Sequence, residues 1–354
     1  MLMQSADQPG TEKSLDVLEP SLTGIVAFHA ANPRPAMGGC FLHKDASAET
    51  ARNLARSTSA TYAFAGLPFS GAAAVVSNAD DWSERSDVFR AVGRATAELH
   101  GAFILSENFG TKDDDLAQAA RETMHVTAPS TQGQHSPAYY TALGIMRAME
   151  VAARHRLGKS LSQTTIAVQG VGAVGFALCA LLNQSGARLI ISERDSVKAA
   201  KAAVRFNAEL VNCRRIHQMR ADIFAPCGQG DAITTQNMHE IRARIICGAA
   251  ENQLAAPELA EDLAERNILY CPDYVVNAGG AIRSAGHYLG WSEMDIERRV
   301  LRIAPALQAL LDQAVSMKET PSSLAAAMIH PPVHAEYPQQ HTKLPVQSEK
   351  KAAA

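Results

Sequence analysis

The stretch Thr165–Glu193, TIAVQGVGAVGFALCALLNQSGARLIISE, restricts this chain more than any other. Ile166, Ala167 and Val168 form a short apolar run, as a buried parallel strand requires. Gly170, Gly172 and Gly175 then spell G-x-G-x-x-G where the strand stops. Val174, Leu178, Leu181 and Leu182 recur at helical spacing, and Gly186 is a helix stop. Leu189, Ile190 and Ile191 make a second strand. Glu193 ends it about 20 residues after the glycines, the distance of an acidic residue in a dinucleotide-binding βαβ unit. Each position has a physical task. Gly170 permits the tight turn, Gly172 lets backbone approach a pyrophosphate at the helix N-terminus, and Gly175 allows close helix–strand packing. Glu193 would accept hydrogen bonds from an adenosine ribose and repel a 2′-phosphate, which predicts NAD. Arg194 follows directly and leaves NADP open as an alternative.

A chain of 354 residues has room for two domains. Its hydrophobic content of 47% suffices for two cores. Lys plus Arg number 33 against 36 for Asp plus Glu, so there is no basic footprint for nucleic acid or an anionic membrane. No apolar run is long enough to span a bilayer. The opening MLMQSADQPGTEKS has no apolar signal region, so a cytoplasmic location is expected. Cys40, Cys179, Cys213, Cys227, Cys247 and Cys271 are scattered without C-x-x-C, which reads as reduced thiols. The histidines show no metal-ligand spacing, so no metal is expected.

Taken in order, residues 1–18 read as a flexible arm. GIVAFHAANPRPAMGGCFLH reads as two strands around a polar turn, with His29 a core or turn residue and Gly38-Gly39 marking a close backbone approach. Asp45 caps an expected helix to Arg56. SATYAFAGLPFSGAAAVV is small and apolar, fitting a crevice wall. Ser86 starts a helix that Gly101 ends, and Ala102–Leu105 is a strand leading into Glu107-Asn108. A helix follows from Asp113 to Arg121. Ser136-Pro137 reads as loop before a helix over 141–156. Beyond Glu193, strands are expected at 223–226, 245–248, 268–270 and 274–276, the last followed by an Asn277-Ala-Gly279-Gly280 turn. Strand ends of this kind are where a parallel sheet binds ligands. Ser292 and Asp295 form a capping box for a helix over 293–317, kinked at Pro305. Pro331-Pro332 ends the last helix, and 331–354 reads as a disordered tail.

PAMGGC, TYAFAGL, SENFGT, TALGIMRAM, VQGVGAVG, ADIFAPC, GAAENQL and PDYVVNAGG together carry a resemblance over roughly residues 22 to 325. The chain resembles the Glu/Leu/Phe/Val amino-acid dehydrogenases, and their leucine dehydrogenase branch in particular. The resemblance implies an α/β fold: an N-terminal α/β substrate and oligomerisation domain over 19–136, a doubly wound Rossmann domain over 137–330, and a cleft between them. It implies a homo-oligomer and NAD(P)-dependent deamination of L-amino acids. It places Thr141, Gly170, Gly172, Ala173, Val174, Gly175, Glu193, Arg194, Ala249 and Asn277 near the dinucleotide. Gly38, Gly39 and Asn277 border the substrate.

The family's catalytic side chains are replaced. Its first lysine, in a T-Y-K-N-A-A-A-G-L pattern, falls at Thr61. Its second, after a glycine run, falls at Ala73, and its aspartate falls at Asn108. No register slip restores a lysine, because none lies between Lys44 and Lys112. Losing a positioned proton carrier costs about 10²–10⁴-fold in rate, so ordinary amino-acid deamination is not expected. Two expectations follow. One is an NAD(H)-dependent oxidoreductase acting on an imine or carbonyl without a carboxylate, drawing protons from water, Tyr62 or His43. The other is an inactive pseudo-dehydrogenase that serves as an NAD(H) sensor or oligomeric scaffold.

Overall fold

A computed structural model describes residues 2–4, 13–19, 22–29, 35–43, 47–77, 85–127, 136–228, 230 and 232–329. Two six-stranded sheets organise them. The first contains β1 (Leu2–Gln4), β2 (Lys13–Glu19), β3 (Leu22–Phe28), β4 (Ala36–Leu42), β5 (Ser70–Val76) and β6 (Phe103–Glu107). Its order is β1-β2-β3-β5-β4-β6. Strands β4, β5 and β6 run parallel, and β3 joins β5 antiparallel. Helix α1 (Ala48–Phe64) covers one face, while α2 (Arg85–Ala97) and α3 (Asp113–Ala119) belong to the other. The alternation along β5 shows this directly. Ala72 and Ala74 pack with Val88 and Phe89, whereas Ala73 and Val75 pack with Ala51, Leu54 and Ala55.

The second half begins with α4 (Pro137–Leu157), β7 (Thr165–Gln169), α5 (Ala173–Gln184), β8 (Arg188–Ser192), α6 (Ser196–Phe206) and β9 (Glu209–Leu210). It continues with β10 (Ile223–Pro226), β11 (Ile245–Ile246), α7 (Leu259–Glu265) and β12 (Leu269–Tyr270). Five helices close it: α8 (Asp273–Val276), α9 (Gly279–Tyr288), α10 (Glu293–Val300), α11 (Ile303–Met317) and α12 (Pro321–Ile329). The sheet order β12-β11-β10-β7-β8-β9 is parallel throughout, the doubly wound Rossmann arrangement that the glycine motif predicts. Its chain order reverses between β7 and β10, so the crevice opens beside Gly170 and Cys227.

Several expectations are corrected. The expected flexible arm holds β1 and β2, paired in an antiparallel ladder with β3. Strands β3 and β4 do not form a hairpin, because β5 inserts between them. Helix α1 is capped by Ser47, whose side chain accepts from the Thr50 N–H, and runs on to Phe64 through the first third of the presumed crevice wall. Ser136-Pro137 is a helix start: Ser136 accepts from the Tyr139 N–H, and Pro137 takes the first helical position, where its missing N–H costs nothing. The segment 274–276 is helical within α8, not a strand. Over 293–317 the chain breaks rather than kinks. Pro305 sits in the first turn of α11, because its ring would clash with the Leu301 carbonyl of a continuous helix. Asp45 and the tail 331–354 lie outside the described residues.

The largest apolar cluster crosses between the two halves. Met37, Tyr62, Phe69 and Ile104 join Tyr140, Val275 and Ile282 in it. Fully burying one such side chain contributes roughly 1.5–3 kcal/mol. Helix α12 returns to pack on α1. The cleft floor is thus a hydrophobic seam.

Four thiols are pushed up and stay protonated at neutral pH. Burial raises Cys40 and Cys227 to about 12 and also raises Cys179, while Cys247 is raised first by its hydrogen bond with Cys271 and then by burial. Iodoacetamide at pH 7.5 is therefore expected to alkylate the partly exposed Cys213 first, read by mass mapping; prior labelling of Cys40 would contradict this.

Candidate functional site

The glycine turn and the helix after it form one edge of the cleft. Gly170 adopts φ +90°, a left-handed conformation suited to glycine, and its N–H donates to the Ser192 carbonyl at 2.8 Å. A Cβ on Gly175 would overlap the Gly170 carbonyl oxygen, so helix and strand touch there. Gly172 differs: an added Cβ meets no atom within 4 Å, and no side chain caps α5 there. The uncapped N–H groups of a 12-residue helix face open space, which is the cradle a pyrophosphate needs. Glu193 closes the turn. Its Oε2 accepts from the Val171 N–H at 2.9 Å, and its Oε1 accepts from Arg194 N–H at 2.7 Å and Asp195 N–H at 3.2 Å. A carboxylate has further lone pairs for a ribose. Arg194 is exposed beside it.

Further along the same edge, Asn277 Nδ2 donates to the Ala249 carbonyl at 3.4 Å, joining two residues expected there. Thr141 lies in the first turns of α4, where a Cβ on Gly280 would crowd its Oγ1 to 2.6 Å. The residues present therefore fit a dinucleotide: Gly170, Gly172, Ala173, Val174 and Gly175 at the phosphates and Glu193 at the ribose.

The opposite wall comes from the first sheet. A Cβ on Gly38 would overlap the Ala72 carbonyl, and one on Gly39 would overlap Asn108 Cβ. These glycines thus serve strand approach and bring Asn108 to the pocket. The loop bearing Asn108 is clamped: Thr111 Oγ1 donates to the Cys40 carbonyl at 2.5 Å, and Arg85 donates to the Gly110 carbonyl at 2.5 Å. Thr61 is 8% exposed, and its hydroxyl donates back to the Ser57 carbonyl at 3.1 Å within α1. Ala73 is 1% exposed beneath α1. Neither supplies a charge. Tyr62 is a poor proton source, because burial pushes its phenol further above the usual range. His43 lies beside Phe41, ring centroids 6.0 Å apart.

Sequence reasoning missed the charged groups that do meet here. Glu251 follows β11, and Asn108 of the other half pulls its carboxyl down. Burial pushes its carboxyl up to about 7, with Asp273 adding to the rise. Burial likewise raises Glu107 to about 7, with Arg283 pulling it back. Arg283 of α9 is 1% exposed and surrounded by Glu107, Glu293 and Asp113. Tyr140 Oη donates to Glu293 at 2.9 Å, and Tyr288 Oη lies 3.4 Å from His125 Nδ1. No local pattern marks these residues, because their partners lie far apart in the chain. Among the described residues no group of three or more His, Cys, Asp or Glu side chains could hold a metal. No described helix is long and apolar enough to cross a membrane.

A Rossmann sheet facing a second α/β layer across a cleft with a glycine turn defines a nicotinamide-dependent dehydrogenase architecture. The comparisons place it. Residues 18–125 match the Glu/Leu/Phe/Val dehydrogenase dimerisation domain, and residues 189–330 match the Glutamate/Leucine/Phenylalanine/Valine dehydrogenase domain. Leucine dehydrogenase of Thermoactinomyces intermedius is 33% identical over 315 residues, covering 87% of this chain and 86% of that one. L-tryptophan dehydrogenase of Nostoc punctiforme is 33% identical over 312 residues, covering 86% and 88%. A crystal structure of the Nostoc punctiforme L-tryptophan dehydrogenase superposes with a TM-score of 0.72 at 31% identity, covering 91% of this chain and 95% of that one. The chain belongs to the Glu/Leu/Phe/Val dehydrogenase family.

Proposed function

We propose that this protein is an NAD(H)-dependent oxidoreductase acting on an amine, imine or carbonyl compound that lacks an α-carboxylate. One observation carries the reading. The two lysine positions implied by the family resemblance hold Thr61 and Ala73, and neither can supply a cation for a substrate carboxylate. Unit charges about 4 Å apart interact by on the order of 4 kcal/mol near a protein surface. Without that cation the site forgoes an attraction of this order for a substrate carboxylate. The bound dinucleotide would supply the hydride acceptor or donor. The seam of Tyr62, Phe69 and Tyr288, with ring centroids 6.2 and 6.1 Å apart, supports an apolar substrate body. The matched dimerisation domain supports a homo-oligomer, and the free thiols support a reducing, cytoplasmic setting.

The test compares 3-methylbutylamine with leucine, each with NAD and the purified protein. The amine is expected to turn over at least about 100-fold better in kcat/KM, about 2.8 kcal/mol. Preference for leucine would overturn the reading. NADH binding without turnover of either compound, or of the matching carbonyls with ammonia, would favour the second reading, an inactive dinucleotide-binding sensor. The combined variant Thr61→Lys, Ala73→Lys, Asn108→Asp is expected to move preference toward leucine. An unchanged ratio in a folded, NADH-binding variant would contradict the electrostatic argument.

A further inference from the structure

We propose that the concave surface where α9, α10 and α11 meet is a binding site for a small phosphoryl-bearing anion, recognised by Arg298 and Arg302 beside Trp291. It shares no residue with the dinucleotide cradle and does not depend on the reaction proposed above.

Packing builds the place. Helix α9 ends at Tyr288, Gly290 turns the chain at φ +73°, and the Trp291 N–H donates to the Gly286 carbonyl at 2.8 Å. A Cβ on Gly286 would come within 2.9 Å of the indole, so Trp291 is seated directly on α9. Trp291, Asp295, Arg298, Arg299 and Arg302 line an open cavity of about 200 Å³. Sites for drug-sized ligands run to roughly 300–1,000 Å³, so the occupant is small.

Helical spacing gathers the charge. Residues 295, 298, 299 and 302 recur at i, i+3, i+4 and i+7, which is one face of a helix. The face runs through the break before α11, because Leu301 and Arg302 keep helix-like φ of −64° and −73°. Glu293 and Glu297 fall on the opposite side of α10. Glu293 is engaged there, accepting from Tyr140 Oη at 2.9 Å and lying 2.8 Å from His287 Nε2.

Three guanidiniums therefore accompany a single carboxylate. Asp295 is engaged twice: Oδ1 accepts from Arg298 at 3.0 Å, and Oδ2 accepts from the Ser292 hydroxyl at 2.6 Å. Arg299 lies over the indole, 3.9 Å from the ring centroid. No ion pair with a described residue engages Arg302, which is exposed. Helix α11 starts beside it with no side-chain cap, so the helix dipole adds to the positive potential.

This arrangement selects phosphate chemistry. A guanidinium fork matches phosphate oxygens in pairs. Arg298 already holds a carboxylate, so an incoming carboxylate meets an equal competitor. A phosphoryl dianion carries more charge and offers three oxygens, enough for Arg298 and Arg302 together. Arg299 covers the indole, so recognition falls on the phosphate rather than on an aromatic ring of the ligand.

Calorimetric titration of the full chain with inorganic pyrophosphate tests this at physiological ionic strength, where exposed charges are screened beyond about 8 Å. Two samples separate the site from the cradle: wild type saturated with NADH, and Gly172→Arg. Saturable binding at one site per chain is expected in both. Arg298→Gln combined with Arg302→Gln is expected to weaken it at least about 10-fold, through the loss of charge-assisted hydrogen bonds. Both side chains are exposed, so the double variant is expected to keep the wild-type melting temperature and NADH affinity. Citrate is expected to bind at least about 10-fold more weakly than pyrophosphate; equal or tighter citrate overturns the phosphoryl assignment. ADP distinguishes a nucleotide from a free phosphate source. Its affinity is expected within about threefold of pyrophosphate and to fall in the same double variant. Binding of either phosphate compound that survives the double variant overturns the site, as does the lack of pyrophosphate binding in both samples.

Discussion

Gly172→Arg is expected to weaken NADH binding by at least about 100-fold, about 2.8 kcal/mol, while barely moving the melting temperature. The two halves of that expectation have separate causes. Gly172 caps α5 with φ −65°, a conformation open to any residue, and an added Cβ meets nothing within 4 Å. The folded chain therefore has room for the arginine. The bound dinucleotide does not, because its phosphates must sit on the N–H groups that the new side chain covers. Gly175→Ala is the contrasting control. Its Cβ would overlap the Gly170 carbonyl, so helix α5 must lift from β7, a strain of typically about 1–3 kcal/mol. Fluorescence titration with thermal unfolding separates the two. Retained affinity in a folded Gly172→Arg variant would mean that dinucleotide does not dock at this turn.

Arg283→Met is expected to cost about 3–5 kcal/mol of stability. Arg283 is buried among Glu107, Glu293 and Asp113, and burial alone disfavours its charge. It is kept because the carboxylates around it need a cation. Methionine fills much of the volume, so the loss is electrostatic rather than a cavity. The pH dependence identifies it. Glu107 already stands at about 7 with Arg283 pulling it down, and without that cation it rises further. A raised carboxyl means the folded state binds more protons than the unfolded one between the ordinary carboxylate range and the raised value. Stability therefore falls as pH rises through that window. The difference between wild type and Arg283→Met is expected to widen from pH 5 to pH 8, and to shrink when Glu107→Gln is added. A pH-independent difference would show that Arg283 acts through packing alone. Because Arg283 lies on α9 and Glu107 ends β6, this pair also bears on how the two halves hold the cleft.

The two kinds of residue in this site differ in how far local sequence reveals them. The Rossmann half is written in short-range terms. Strand 165–169 is a short apolar run that ends in a glycine turn, and the acidic Glu193 closes the same turn. The lack of any lysine between Lys44 and Lys112 is equally plain and needs no coordinates. Local pattern failed where a partner is distant. Residues 13–19 read as an arm although their partner strand 22–28 follows at once; what anchors that pair is β5, which joins β3 from about fifty residues on. Tyr274–Val276 has the β-branched composition of a strand, but it packs as a helix against α1 and α11.

The sequence by itself determined the family and the doubly wound sheet. The sheet depends on backbone sterics within βαβ units, and the family on motifs spread over most of the chain. Only the tertiary structure decided that Arg283 lies among three carboxylates and that Tyr62 is sealed in the seam. Those facts arise from folding one sheet edge onto another, which brings together groups up to about 180 residues apart and removes them from water. Desolvation and pairing set their charge, and neither exists until the cleft is formed.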